Sequence, residues 1–170
     1  MGNNETTNQE LLVITRTINA PRVLVFKVWT EAEHLKHWFG PADLDLEILK
    51  LDVHPGGMFH YSMRFPDGNF MWSKNTYQEV VVPEKLVYIS SFTDAEGNVI
   101  PAPIAPDFPL EVMNTLTFTE SNGQTILTLQ SAAHQANTAQ QAFYQSLFDS
   151  MQQGFGSMFD QLEVYLAAQN

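Results

Sequence analysis

His34 and His37 stand three residues apart where the spacing predicts a short helix, so the pair could begin to chelate zinc. A closed site needs further ligands. No carboxylate or third histidine sits at a recognisable ligand spacing, and no metal is expected. The chain has no cysteine, which removes thiolate chemistry and disulfides. None of G-x-S-x-G, H-E-x-x-H, G-x-G-x-x-G or a phosphate loop occurs. Asp52 and Glu79 fall at strand ends or turns, where solvated carboxylates are common, and His60 falls on the polar phase of its strand and is expected to be exposed. No catalytic residue and no cofactor is assigned. Other polar groups are better placed to orient a ligand. Asn114 shares a strand face with Leu116 and Phe118, so it points inward with them and needs a partner or a ligand there. Tyr61 and Trp72 can serve likewise through O–H and N–H.

The element that must position these groups is the stretch Thr138 to Ala167. At 100° per residue, Tyr144, Phe148, Met151, Phe155, Met158, Phe159, Leu162 and Leu166 fall on one face, opposite Ser146, Asp149, Gln153, Ser157 and Asp160. Asn137 and Thr138 each suit the N-cap, and Thr138 with Gln141 has the spacing of a capping box. One continuous helix of about 45 Å is expected. Only a broad β-sheet can shield such a stripe, and a sheet wrapped around one helix leaves a cavity. Methionine adapts to irregular apolar space, and of the seven in the chain Met63, Met151 and Met158 are expected to face inward. The predicted pocket is lined by Phe59, Tyr61 and Met63 on a strand and by Met151, Phe155 and Met158 on the helix, with Asn114 and Trp72 as polar contacts. A volume of roughly 300–1,000 Å³ is expected, the range of ligand sites.

Residues 1–10 are polar and expected to be frayed, and residues 11–170 are expected to form a single domain. Leu11 to Asn19 alternates as a strand, and Pro21 opens a helix that buries Val25, Phe26 and Trp29. Thr30 and Glu33 have capping-box spacing before a second short helix, Glu31 to His37. From Asp43 the period becomes two, and the slip from Leu44, Leu46 and Ile48 to Leu49, Leu51 and Val53 reads as a bulge. About six antiparallel strands follow, with turns at Pro55-Gly56-Gly57, Pro66-Asp67-Gly68-Asn69, Pro83-Glu84 and Ser121-Asn122-Gly123. Asp94 to Pro109 holds four prolines and is a loop whose Ile100, Ile104 and Phe108 suit either a lid or a stiffened surface segment. The fold class is α+β.

Nineteen acidic against eight basic residues give a net charge of −11, which repels nucleic acid and anionic membrane surfaces. No run approaches the roughly 18 apolar residues of a membrane span. The first ten residues lack the basic start and apolar core of a signal peptide, so a cytoplasmic protein is expected. The sequence assigns no oligomeric state.

Six local signals occur in a fixed order. Ile18-Asn19-Ala20-Pro21 precedes Val25-Phe26, and His37-Trp38-Phe39-Gly40-Pro41 follows the second short helix. Asp52 to Phe59 (DVHPGGMF), Val82 to Val87 (VPEKLV), Phe92 to Asn98 (FTDAEGN) and Gly154-Phe155 come after them. Together they resemble the START-like (SRPBCC, Bet v 1-like) superfamily, and within it most closely the family named for the activator of the heat-shock protein 90 ATPase, from about Val13 to Leu166. The resemblance implies a helix-grip fold, a curved antiparallel sheet around a long C-terminal helix with two short helices after the first strand. Two departures stand out: Phe39 and Phe155 occupy positions where the family often has tryptophan, and His54 one where it often has a basic residue. The first reading of function is an internal cavity for an apolar or aromatic small molecule. The resemblance also implies a chaperone protein as partner, although full activators carry a further domain for which 170 residues leave no room. A cyclase- or aromatase-like enzyme is the third reading, and no catalytic pair supports it.

Overall fold

The computed structural model describes residues 10–103 and 105–169, so the expected frayed start falls mostly outside the described residues, as does Ile104. Seven antiparallel strands form one sheet: β1 (Leu12–Ile18), β2 (Asp45–Leu51), β3 (Met58–Arg64), β4 (Phe70–Val81), β5 (Lys85–Thr93), β6 (Val112–Ser121) and β7 (Gln124–Ala133). Their order is β1-β7-β6-β5-β4-β3-β2. Between β1 and β2 the chain makes two short helices, α1 (Arg22–Thr30) and α2 (Ala32–Trp38). With the C-terminal helices these cover one face of the curved sheet, which is the α+β helix-grip arrangement. The register slips between Ile48 and Lys50, where the phase change predicts a bulge. A second slip, between Tyr77 and Glu79, has no signature in the alternation of β4.

The expected continuous helix is two helices, α3 (Thr138–Ser146) and α4 (Phe148–Ala168), divided at Leu147. Leu147 N–H reaches back only three residues, to Tyr144 O at 3.0 Å, and the Ser146 hydroxyl donates to Phe143 O at 2.6 Å. Serine thereby competes with the helical ladder. Tyr144 meanwhile holds α3 to the sheet: its hydroxyl bonds Ser131 of β7, and its ring lies edge-on to Phe108 and Phe148. The capping box is also one residue earlier than Thr138–Gln141. Asn137 accepts from Gln140 N–H, and the Gln140 side chain accepts from Asn137 N–H. At α2 the expected Thr30–Glu33 box is absent, because Thr30 Oγ1 donates to Phe26 O at 2.9 Å and Glu31 takes the cap position without a side-chain bond.

The core lies where α1, α2 and α4 meet the sheet. Phe159 and Leu162 of α4 have no exposed surface, and burying each contributes about 1.5–3 kcal/mol. Trp29 stands edge-on to Trp38, Phe118 and Phe159. Arg16, on the inward phase of β1, fastens that strand to α4 through Asp160 (2.9 Å), Glu163 (2.8 Å) and the carbonyl of Gly156. A smaller cluster of Val112, Ala133 and Tyr144 sits under α3.

The opposite face of the sheet is also partly covered. His60 is 7% exposed, contrary to its expected place in solvent. Its Nε2 bonds Thr93 Oγ1 at 3.1 Å, and the turn at Gly97 lies over the ring, held by Lys74 Nζ donating to Gly97 O at 3.0 Å. The Asp94 carboxylate closes that turn by accepting from Glu96 N–H, Asn98 N–H and Asn98 Nδ2. The same long loop then returns to the helical side, where Phe108 packs between Phe92 and Tyr144.

Candidate functional site

Along α4 the apolar stripe is unevenly covered. Met158, Phe159, Leu162 and Leu166 are buried, whereas Phe148, Met151 and Phe155 on the same face are only half-buried. Opposite that half lies a cavity of about 440 Å³. From α4 it is lined by Met151, Phe155 and Met158, and from the sheet by Tyr61 and Met63 of β3, Asn75 of β4, Tyr88 and Ser90 of β5 and Asn114 of β6. Trp29 and the segment Phe39-Gly40-Pro41 close one end. Pro41, Ser150 and Gly154 are exposed lining residues, which places the mouth between the Gly40 corner and the first turns of α4. A second space of about 180 Å³ shares Tyr61, Ser90, Asn114, Met151 and Phe155 with it and extends it toward Phe108 and Tyr144.

The Gly40 corner is built for close approach. Its φ is +87°, and an added Cβ would lie 2.7 Å from Met63 Cε. Gly40 N–H donates to Met158 Sδ at 3.3 Å, and its carbonyl accepts from Gln161 Nε2 at 2.9 Å. The corner is thereby bound to α4 at the mouth.

Among the expected site residues, Tyr61, Met63, Asn114, Met151, Phe155 and Met158 line this cavity. Phe59 does not. It is 2% exposed, packed against Phe39 and Tyr61 in the solid core beside the cavity. Trp72 lies on the other side of the sheet. Ser73 and Asn75 face the cavity side, so side-chain alternation turns Trp72 outward, where it stacks on Phe70 with centroids 5.7 Å apart. Asn75, Tyr88, Ser90, Trp29 and Phe39 were not among the expected lining. Asn75 and Ser90 were readable in principle, since each shares a strand phase with a buried tyrosine, Tyr77 and Tyr88.

The polar floor of the cavity is one connected strip. Asn114 Nδ2 donates to Ser90 Oγ at 2.9 Å and to Val112 O at 3.2 Å, and Ser90 Oγ donates to Asn75 Oδ1 at 2.8 Å. Burial pushes the Tyr61 phenol up to about 12, against a hydrogen bond to Ser73 that lowers it. Burial also raises the Tyr88 phenol. Both stay protonated at neutral pH and act as neutral hydrogen-bonding groups. No acid–base pair lines the space among the described residues.

His34 and His37 are accounted for elsewhere. His34 Nδ1 bonds Tyr165 OH at 2.7 Å, and the His37 ring stacks on Tyr165 at 5.3 Å. Among the described residues no group of three or more His, Cys, Asp or Glu is placed to hold a metal. No helix among them is long and apolar enough to cross a membrane.

The family model for "Activator of Hsp90 ATPase homolog 1-like protein" matches residues 19–167. The chain belongs to that family. The crystal structure of protein Ms6760 from Mycobacterium smegmatis is similar, with 24% identity, a TM-score of 0.75, and 94% of this chain and 92% of that one covered. A solution structure from Staphylococcus epidermidis has 25% identity and a TM-score of 0.77, covering 96% and 93%. Protein NE0264 from Nitrosomonas europaea has 24% identity and a TM-score of 0.74, covering 94% and 95%. These likenesses establish the fold. No curated protein matches significantly. Phe39 and Phe155, singled out in the sequence as departures from what the resemblance implies, both line the cavity. His54, the other departure, is exposed on a turn with its Nδ1 3.0 Å from Pro55 O.

Proposed function

We propose that this chain binds an apolar or aromatic small molecule between α4 and the sheet, in the cytoplasm. The observation that carries the reading is a void of about 440 Å³ facing half-buried Met151 and Phe155, within the range of ligand sites. Protein interiors otherwise pack as densely as organic crystals, with few voids larger than a water molecule. Tyr61, Met63, Met151, Phe155 and Met158 supply apolar contact, and Asn114 a hydrogen bond. Native mass spectrometry of freshly purified protein and a thermal-shift screen of apolar compounds test it directly. A ligand should raise the melting temperature by mass action. Met151→Trp should fill the space, abolish the shift and leave the fold intact, because a void accepts volume that a packed core does not. Strong destabilisation by Met151→Trp, together with no hit in the screen, would mean that this region is solid core. The family description favours chaperone regulation as the second reading. Stimulation of the heat-shock protein 90 ATPase by a chain that binds no ligand would put that reading first.

A further inference from the structure

The chemistry of the cavity wall narrows what it can hold, provided that the cavity is a ligand site. No Asp, Glu, Lys, Arg or His lines the main space or its extension among the described residues. The titratable groups there are Tyr61, Tyr88 and Tyr144, and burial holds all three phenols in their neutral form. A charged ligand group would lose its hydration and find no countercharge. An anion would in addition approach a chain of net charge −11.

The strip Asn75–Ser90–Asn114 supplies the polar half of the argument. The Val112 carbonyl can only accept, so it fixes the Asn114 amide with Nδ2 toward it. The second hydrogen of that Nδ2 goes to Ser90 Oγ, whose own proton goes to Asn75 Oδ1. Two amide ends remain. Asn114 Oδ1 is an acceptor and Asn75 Nδ2 a donor, and among the described residues neither has a hydrogen-bond partner. The residues are only 5% and 8% exposed, and both line the main cavity. Neither atom is sealed inside the protein, and both residues line the cavity, so a molecule that displaces water from it must pair these two ends or leave them unpartnered.

We infer that the cavity selects an uncharged, largely aromatic molecule bearing a carboxamide or lactam, its N–H donating to Asn114 Oδ1 and its C=O accepting from Asn75 Nδ2. A carboxylate offers only acceptors and leaves Asn114 Oδ1, itself an acceptor, without a donor. An ammonium offers only donors and leaves Asn75 facing them. A ketone satisfies Asn75 alone.

Isothermal titration calorimetry at neutral pH with 2-naphthamide, 2-acetonaphthone and 2-naphthoate separates these cases on one apolar scaffold. The amide is expected to bind about tenfold more tightly than the ketone, with the carboxylate weaker still. Asn114→Leu should erase the advantage of the amide over the ketone, and Asn75→Leu should weaken both. The comparison on the unaltered protein needs no variant to fold. If the ketone or the naphthoate binds it as tightly as the amide, the inference is overturned while the cavity remains a ligand site. If none of the three binds, and the apolar screen is also empty, the cavity reading falls too.

Discussion

Gly56 and Gly57 are neighbours held by different constraints. Gly56 has φ +86° with open space around it, so a side chain there meets only an unfavourable backbone conformation. Gly57 lacks that φ, but an added Cβ would stand 2.2 Å from the carbonyl oxygen of Asp52. Valine at either position is expected to lower stability by on the order of 1–3 kcal/mol, read from urea denaturation midpoints. The two should part with asparagine, which tolerates left-handed backbone: Gly56→Asn should recover most of the loss and Gly57→Asn none. Equal behaviour of the two asparagine variants would refute the distinction. The doublet was legible as a constrained turn in the sequence, whereas the division of labour between its members was not, because it depends on where the Asp52 carbonyl lies. Asn114 was legible for a similar local reason, its shared phase with Leu116 and Phe118. Trp72 was misread because an N–H on an aromatic ring says nothing about which side of a strand it occupies. His60 was misread because burial of its face depends on a turn more than thirty residues away in sequence.

At the scale of elements, α4 carries the apolar face on which both core and cavity depend. Deleting Gln140 onward should leave one side of the sheet uncovered and give insoluble or molten protein, with dye binding and no cooperative melt. A sharp melt from the shortened chain would contradict the architecture. Periodicity made the amphipathic stretch visible but hid its division at Leu147, since Phe148 and Met151 keep the stripe in phase across the break. What divides it is tertiary: the Tyr144–Ser131 bond and the packing of Phe108 draw α3 toward β7. The long proline loop was readable only as irregular. Its two ends serve opposite faces of the sheet, Gly97 over His60 and Phe108 beneath α3, and no local pattern encodes that.

For the molecule as a whole, its buried phenols set a limit at high pH. Tyr61 is pushed up to about 12 from an ordinary 10.0, and Tyr77, Tyr88 and Tyr144 are also raised, in each case chiefly by burial. Above about pH 10 the unfolded chain releases phenolic protons that the folded one keeps, so the unfolded state binds fewer protons. The contribution of these groups is present in full below that pH and is lost as pH rises toward their folded values. Denaturation midpoints should hold level up to about pH 9.5 and fall between about pH 10 and 12, with a shallower fall in Tyr61→Phe. A midpoint unchanged across that window would deny the burial of the phenols. The open sheet has a different consequence. Its order ends at β1 on one side and β2 on the other, so each of these strands has a neighbour on one side only. Free strand edges invite pairing between molecules, a route to fibres. Along β2 the exposed Asp45, Glu47 and Lys50, with the slip between Ile48 and Lys50, break up the flat, apolar row that such growth would need. The same irregularity that marks β2 therefore also works against growth of the sheet along that edge.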